Sequence, residues 1–413
     1  MPQNQRGQRS SIILRLVVGL GISVCLLAIS RRLVVGQAPI DSRFDLTFCS
    51  LDSLRQFGRR NDVVAIAAGT TSWNVGNQRL DWFRLPDRRH PFIVQNLYRV
   101  KNDTFEQIGE SWAKHGFFAL SNSQCGNGCN DLTDGTQLGV DCTDTYGSST
   151  NAAQEFFGPR SEINPWTGEW SAANSHLTSA HPHDPVEHLL DVHDRDLDPQ
   201  ANQRATYFLE GYYVHYQDQN PMNNAAWKAV TIRSGSPGTN WVFGMSGAQD
   251  MPTSGFALSA WAGARQTFLA AQIPTIKGTS LDGRCMLAAK ATNTGGQWHY
   301  VYALLNIDLA SQAGAFSVPV LGANVTDANF HSPEHHNEPL SGGGNALQMN
   351  DAWAINVSPS GVLWSTTMNP LHWGDVYTFS FTSTKAPVDG EVTVSLFRNN
   401  GSPLKGVTVV PGK

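Results

Sequence analysis

The strongest constraint on the fold is a regular alternation of large and polar side chains in the C-terminal part of the chain. Large apolar and aromatic residues recur at every second position over 298–305, 377–381 and 392–396, and the turn-forming stretch 386–390 precedes the last of these segments. A period of two places the large residues of each segment on one face of a pleated strand. The pattern therefore predicts half-buried antiparallel strands, and we expect a β-sandwich over 260–413.

Composition favours a sheet-rich fold for the rest of the chain as well. Charged residues make up only 15% of the 413 residues, and 38 residues are glycine. Low charge with many glycines and aromatic residues suits β-sheets joined by tight turns, whereas disorder needs high charge and few aromatic residues. The sequence therefore predicts a mainly β protein with two β-sandwich-like domains and long disulfide-stapled loops, after an N-terminal signal segment.

The first 36 residues have the layout of a secretory signal peptide. They contain no acidic residue, and their apolar run over 16–29 has the length of a signal-peptide core. The basic residues are Arg6, Arg9, Arg15, Arg31 and Arg32. Gly36 and Ala38 offer small residues for cleavage, but two arginines stand before them, so an uncleaved anchor is the alternative. We expect a protein that is secreted, periplasmic or attached to the cell surface.

Removal of that segment would leave an acidic protein. Without its five arginines, 24 basic residues remain against 34 acidic ones, which gives a formal net charge of −10. This balance offers no electrostatic attraction for nucleic acids or anionic membranes. We therefore expect no nucleic-acid partner and no membrane contact beyond the N-terminal segment. An extracellular polymer or a small organic substrate is the expected partner.

The cysteines predict disulfides within a loop. Cys25 lies in the signal segment, and five cysteines follow it: Cys49, Cys125, Cys129, Cys142 and Cys285. In an oxidising compartment Cys125, Cys129 and Cys142 are natural partners that would staple a loop rich in Gly, Asn and Asp. Because five is an odd number, at least one thiol stays free or pairs between chains. A zinc site at Cys125 and Cys129 is the competing interpretation.

Changes in composition along the chain predict its domain organisation. Residues 37–60 are expected to form a connector, followed by an N-terminal β-rich domain over 61–233. The stretch 121–175 is rich in turn-forming residues and predicts a long loop, which in a compact domain is usually functional or held by disulfides. The Gly/Pro-rich stretch 234–238 predicts a boundary or a long turn before the sandwich over 260–413.

One segment of the N-terminal domain reads as a β-hairpin. Two apolar runs within 93–108 flank the turn residues 101–103. The same residues also fit one face of a helix that would continue through Trp112 and His115. The turn residues favour the hairpin.

Several strings resemble a group of uncharacterised secreted β-rich proteins from environmental bacteria. They are residues 111–120, the Cys125–Cys129 loop, and residues 158–165, 298–306 and 373–381. The resemblance covers most of the chain after the signal segment and implies export and a shared fold, but no reaction. Those relatives carry a cysteine in the stretch that matches residues 69–74, where this chain has none. The C-terminal part is also similar to β-sandwich modules of bacterial surface proteins.

Two groups of histidines and carboxylates could bind a metal. The first contains His176, His181, His183, His188 and His193 among six acidic residues, and the second contains His331, Glu334, His335, His336 and Glu338. Neutral imidazoles and carboxylates are the ligands of zinc, copper and iron. His181 and His183 stand two residues apart, so an extended strand would point both the same way. We therefore predict a copper or zinc site between the two β domains, formed by His181, His183, His331, Glu334 and His336.

Other interpretations of these residues stay open. Both histidine groups are also typical of polar surface loops. The His-x-His and His-His pairs are similar in composition to those of two-domain copper monooxygenases, for which Met222, Met245 and Met251 could add a soft ligand. The acidic run 194–198 suggests calcium, although it lacks the glycine and the final glutamate of an EF-hand loop.

Two functions follow from these observations. The first is a copper- or zinc-dependent extracellular enzyme that acts on a polymer or a small organic substrate. The second is a non-catalytic surface or matrix protein that binds polysaccharide. It is favoured by the β modules and the absence of a strong catalytic motif. Tryptophans that could stack on sugar rings also favour it: Trp73, Trp82, Trp112, Trp166 and Trp170.

Overall fold

The chain forms a mainly β structure, as the sequence predicts. The computed structural model describes residues 43–125, 128–178, 183–246, 252–269, 283–336, 350–398 and 401–413. Predictions for the signal segment therefore lie outside the described residues. Among the residues described, no helix has the length and apolar character needed to cross a membrane.

The described residues of the N-terminal half form fourteen strands. They are β1 (Leu46–Arg60), β2 (Val63–Asn74), β3 (Leu80–Asp81), β4 (Phe92–Lys101), β5 (Thr104–Glu110), β6 (Ala113–His115), β7 (Gln137–Leu138), β8 (Thr143–Tyr146), β9 (Phe157–Gly158), β10 (Leu190–His193), β11 (Thr206–Val214), β12 (Ala225–Ser234), β13 (Val242–Met245) and β14 (Thr253–Ser254). The α-helices are one turn long: α1 (Ser148–Asn151) and α2 (Asp194–Leu197). Single 3-10 turns span Gln154–Phe156, Arg160–Glu162, Ala172–Asn174, His176–Thr178, Pro221–Asn223 and Ala257–Ala260.

The described residues of the C-terminal half form ten strands. They are β15 (Arg265–Leu269), β16 (Cys285–Thr294), β17 (Gln297–Asn306), β18 (Ala313–Pro319), β19 (Val325–His331), β20 (Ala354–Ser358), β21 (Gly361–Ser365), β22 (Val376–Ser383), β23 (Pro387–Leu396) and β24 (Leu404–Pro411). The strands form two sheets, in the orders β15-β16-β17-β22-β19 and β20-β21-β18-β23-β24. The large residues that alternate in the sequence, such as Tyr302, Phe316 and Phe379, are fully buried in one core. This is the sandwich predicted over 260–413.

The N-terminal half is sandwich-like too. Its first sheet has the order β1-β2-β10, with β8 also paired to β2. Its second sheet has the order β13-β12-β11-β4-β6-β9, with β5 paired to β4 and β14 paired to β12. Apolar residues of both sheets, among them Phe48, Ile66, Leu97 and Tyr213, share a core. Each fully buried side chain of this size contributes roughly 1.5–3 kcal/mol through removal of apolar surface from water.

The two halves pack together through a third core. Phe92 and Tyr212 of the N-terminal half pack in one cluster with Met286, Val301 and Trp373 of the C-terminal half. All described residues accordingly belong to a single compact unit. The predicted segments 61–233 and 260–413 are therefore halves of one body rather than separate modules.

The prediction of a connector over 37–60 is wrong from Leu46 onward. Those residues form β1, a 15-residue strand paired with β2. Register shifts after Phe48, Asp52 and Gln56 interrupt the pairing. A bulge adds a residue and changes which side chains face the core. The alternation in the sequence is therefore irregular, and the strand was not recognisable from it.

Two turn predictions can be compared with the structure. The hairpin is confirmed, because β4 and β5 pair as antiparallel neighbours. Asn102 and Asp103 form its tip with φ angles of 50° and 62°, which a two-residue hairpin turn of this hand requires. The stretch 234–238 lies in the connection between β12 and β13 within one sheet, so it is a long turn.

Two disulfides hold the long loop, and one of them has a partner outside the three cysteines predicted to pair. Cys129 bonds to Cys142, and Cys125 bonds to Cys49 in β1. Cys285 is the free thiol expected from the odd count, and it is buried. Since Cys125 and Cys129 are both in disulfides, the zinc interpretation of that pair is wrong. Disulfides of this kind are typical of oxidising, extracytoplasmic environments.

A buried histidine pair gives the protein a measurable acid sensitivity. Nε2 of His90 lies 2.8 Å from Nδ1 of His115, and neither ring is exposed. Burial lowers the pKa of His90 from 6.5 to about 4. Because the folded-state pKa lies below the unfolded value, the neutral ring contributes stability above pH 6.5 that is lost as the pH falls towards 4. This loss is about 2 kcal/mol between pH 7.5 and pH 5.

We therefore expect His90→Gln to be less sensitive to acid than the wild type. The difference in free energy of unfolding between the two proteins should shrink by about 2 kcal/mol between pH 7.5 and pH 5 in urea titrations. His299→Gln is the control, because that ring is half-exposed and burial lowers its pKa less. An unchanged difference across the two pH values would show that His90 does not stay neutral in the folded state.

Candidate functional site

Both histidine groups reach one cleft, which we call the histidine cleft. Its volume is about 230 Å³. It is lined by Arg60, Trp112, His176, Asp184, Glu187, His188, Asp191, Glu334, His335, His336 and Asn350. Residues 184–191 lead into β10, and residues 334–336 follow the end of β19. Two segments far apart in the sequence therefore meet at the same place.

Trp112 is the platform of the cleft. It is only 2% exposed and lies between β5 and β6. The His188 ring stacks on it at 3.7 Å with an interplanar angle of 8°. The backbone N–H of Trp112 also donates to the carbonyl of His188 at 3.0 Å. His188 has a φ of 69°, which costs a non-glycine residue roughly 1–2 kcal/mol. The stacking and the hydrogen bond help to offset that strain and fix the ring.

His188 belongs to a compact group with His183 and Glu187. One carboxylate oxygen of Glu187 lies 3.4 Å from Nδ1 of His183, and the other lies 3.4 Å from Nε2 of His188. The three ligand atoms all lie within 4.8 Å of one another. Zinc ligands lie about 2.0–2.2 Å from the ion, so two of them at a tetrahedral angle are about 3.4 Å apart. The group therefore has the spacing of a metal site.

A closed turn holds Glu187 in this position. The Asp184 carboxylate accepts hydrogen bonds from the backbone N–H groups of Val186 and Glu187, at 2.8 and 2.9 Å. The Gln154 side-chain amide donates to the carbonyls of Asp184 and Glu187, at 2.7 and 2.8 Å. Asp184 also forms an ion pair with Arg60 at the end of β1. Each of these contacts restricts where the Glu187 carboxylate can move.

The second histidine group supplies the opposite wall. Nε2 of His336 donates to the carbonyl of Leu189 at 2.8 Å and lies 3.4 Å from the Asp191 carboxylate. Its ring centroid is 6.4 Å from that of His188. Burial raises the pKa of Asp191 to about 6, and the nearby His336 opposes this shift. The wall thus offers a carboxylate and an imidazole across the cleft from His188.

An ion pair connects the two segments at the rim. Nδ1 of His193 lies 2.9 Å from Asp62, and Nε2 lies 2.5 Å from Glu334. Burial alone would lower the pKa of His193, but the hydrogen bonds to Glu334 and Asp62 outweigh it and raise the pKa. His193 therefore links the segment after β19 to β10.

A second His/carboxylate group lies directly beneath the cleft. We call it the buried ion network: Glu110, Arg160, His335 and Asp375. Glu110 and His335 are 2.8 Å apart, as are Arg160 and Asp375. Glu110, His335 and Asp375 have the spacing of a metal site as well. However, all of these side chains lack solvent exposure and a guanidinium already occupies Asp375, so the open histidine cleft is the better place for a cation.

The predicted metal ligands that the structure describes do not all lie at one place. His336 and Glu334 line the cleft, and His183 contacts Glu187 and His188 beside it. His331 does not join them. Its Nε2 bonds to the carbonyl of Gln107 at 2.8 Å, and it lines an adjoining cavity of about 240 Å³. His181 lies outside the described residues, as does Glu338.

Of the pair predicted from strand spacing, His183 lies among the described residues and His181 does not. The segment 183–188 is instead a turn, so Glu187 and His188 face His183. Trp112 as a platform was missed, because its contact with His188 spans 76 positions and leaves no local pattern.

The other residues considered as metal ligands make different contacts in the structure. Within the acidic run, Asp194 bonds to Arg59 and Asp196 bonds to Arg99, so these carboxylates form ion pairs rather than a calcium loop. Met245 packs against the N-terminal core and Met222 against the third core. Met251 lies outside the described residues.

Comparison with known proteins assigns no family to the chain. No protein-family model matches it. No curated protein matches it either. The resemblance to secreted proteins of environmental bacteria therefore stays a prediction, and the function has to be inferred from the geometry of the site.

Proposed function

We propose that this is an extracytoplasmic enzyme that binds a zinc ion at the edge of the histidine cleft through His183, Glu187 and His188. The observation that carries the proposal is the pair of 3.4 Å separations between Glu187 and the two imidazoles. Two histidines and one glutamate are also the ligand set of several catalytic zinc sites, which keep a further position open for water or substrate. The disulfides support export.

The surroundings favour zinc over copper and a catalytic role over a structural one. No methionine or cysteine that the structure describes lines this cleft, so the soft ligands that select copper(I) do not reach it within the described chain. His183 and Glu187 are each more than a quarter exposed, and His188 is buried. An ion there would be held from one side and open on the other. Asp191 and His336 could exchange protons with a substrate from the facing wall.

Metal titration of the purified protein tests the proposal. The protein should carry no affinity tag, be stripped with a chelator, and be titrated with Zn²⁺ and Cu²⁺ by calorimetry with elemental analysis. We expect one Zn²⁺ per chain. His188→Ala and the isosteric Glu187→Gln should each weaken Zn²⁺ binding about a hundredfold or more, since each removes a ligand.

His299→Ala is the matched control, because it removes a histidine from β17 without changing the cleft. Less than one bound ion per chain, or equal affinity in His188→Ala and the wild type, would end the proposal. Cobalt substitution separates the two kinds of site. An open position predicts that a small anion such as azide changes the visible spectrum of the Co²⁺ protein, whereas a closed structural site leaves it unchanged.

A further inference from the structure

A wide groove lies apart from the histidine cleft, and we call it the basic groove. Its volume is about 860 Å³, within the usual range for ligand sites of about 300–1,000 Å³. It is lined by residues 52–59 of β1, by Arg233, and by residues 240–245 in and before β13. None of these residues lines the histidine cleft.

The groove exists because two sheet edges face each other without pairing. β1 ends the first N-terminal sheet and β13 ends the second. Side-chain contacts close its floor instead: Gln56 accepts a hydrogen bond from the backbone N–H of Trp241 at 2.8 Å and donates to the Asn240 side chain at 3.2 Å. The space between β1 and β13 is therefore part of the sandwich architecture.

The charge of the groove is opposite to that of the chain. Three arginines, Arg55, Arg59 and Arg233, line it against one acid, Asp52, while the whole chain has a net charge of −5. Asp194 holds Arg59 through two hydrogen bonds of 2.6 and 3.0 Å. Arg55 and Arg233 are exposed, and neither forms an ion pair with any residue that the structure describes. These two cations are the ones available to a ligand.

A glycine in β13 leaves room for the Arg233 side chain. A Cβ atom on Gly244 would lie 2.3 Å from Nε of Arg233, so a larger residue there would require that side chain to shift. Apolar surface accompanies the charges: Phe57 is 41% exposed and Val242 is 49% exposed. An exposed aromatic ring beside guanidinium groups suits a sugar chain, since rings stack on sugar faces and guanidinium groups bind carboxylates or sulfates in pairs of hydrogen bonds.

The strand edges argue against a peptide in this groove. A peptide that adds to a sheet needs a regular row of backbone donors and acceptors. Register shifts at Asp52–Arg55 and Gln56–Gly58 break that row in β1, and bulges of this kind protect edges from further pairing. The Gln56 side chain also occupies the backbone N–H of Trp241.

We propose that the basic groove binds an acidic polysaccharide, with Arg55 and Arg233 contacting its anionic groups and Phe57 stacking on a sugar ring. This site is independent of the proposed metal enzyme. If both hold, the groove would keep the protein on an extracellular polymer near the substrate of the cleft. The protein without metal should bind the polymer as well as the protein with metal.

Affinity electrophoresis and calorimetry test the proposal with four polymers. They are polygalacturonate, dextran sulfate, uncharged dextran and poly-L-glutamate. We expect binding to polygalacturonate or dextran sulfate, and the comparison of these two identifies carboxylate or sulfate as the preferred anion. Arg55→Ala/Arg233→Ala should weaken that binding at least about tenfold, because it removes two charge-assisted contacts. Phe57→Ala should weaken it severalfold.

Arg84→Ala/Arg88→Ala is the control, since it removes the same charge from exposed arginines outside the groove. Three results would overturn the proposal: no binding to either acidic polysaccharide, an equal loss in the control pair, or poly-L-glutamate binding that is as tight and insensitive to Phe57→Ala. The last result would identify an acidic polypeptide as the partner. Loss of zinc binding in the variants of the cleft leaves all of these outcomes unchanged.

Discussion

Replacing Cys49 and Cys125 together by alanine should lower the free energy of unfolding by about 4.5 kcal/mol. The disulfide joins residues 76 positions apart. A crosslink stabilises mainly by reducing the entropy of the unfolded chain, and the effect grows with the logarithm of the loop length. Cys49 is buried in β1, so the bond also attaches the long loop to the N-terminal sheet.

Urea unfolding of the oxidised protein and its variants measures this loss. The matched control is Cys129→Ala/Cys142→Ala, whose loop spans only 13 positions and which should cost about 3 kcal/mol. Cys285→Ala should leave both disulfides intact. If the short loop proves to contribute more than the long one, the entropic explanation is wrong. Folding of the wild type with all thiols reduced would count against an oxidising destination.

The parts of the fold that the sequence predicted correctly are those governed by local rules. Strands β17 and β22 alternate regularly, so their period was visible. The hairpin of β4 and β5 has Asn102 and Asp103 at its tip, which are residue types that accept positive φ angles. In these elements, the conformation that each residue prefers and the side of the strand that is buried indicate the same structure.

The parts that failed depend on contacts between distant residues. β1 was missed because bulges disturb its period. The pairing of Cys125 with Cys49 requires the loop to cross to the first sheet, and no spacing rule contains that information. In the site, both histidine groups were recognised, but the choice of ligands depends on the Asp184 turn and on Trp112. Only a folded chain brings these together.

Replacing Arg160 by methionine should lower the free energy of unfolding by about 3–5 kcal/mol, because it leaves a buried carboxyl group without its partner. Arg160 has no solvent exposure. It donates to Asp375 at 2.8 Å, to Asn96 at 2.8 Å and to the carbonyl of Ser111 at 2.7 Å. These bonds link the two halves of the molecule.

The stability that Arg160→Met loses should depend on pH in a defined direction. Burial, and then the charge of Glu110, raise the pKa of Asp375 well above its usual range, while Arg160 lowers it. Removal of Arg160 raises that pKa further. A carboxyl group whose folded-state pKa lies above the unfolded value loses stability as the pH rises. The difference in free energy of unfolding between wild type and Arg160→Met should therefore widen as the pH rises through the wild-type folded-state pKa of Asp375, which urea titrations over a series of pH values measure.

A second substitution separates the ion pair from simple packing. Because apolar replacement of both partners of a buried pair is often neutral, Arg160→Met/Asp375→Leu should be less destabilised than the sum of the single variants, by at least about 1 kcal/mol. The network also supports the cleft: Arg160 donates to the carbonyl of Ser111, and the next residue is Trp112, on which the ring of the proposed ligand His188 stacks. Arg160→Met should consequently weaken Zn²⁺ binding severalfold even at temperatures where the protein stays folded. Unchanged zinc affinity together with additive losses in stability would show that the network only fills space between the halves.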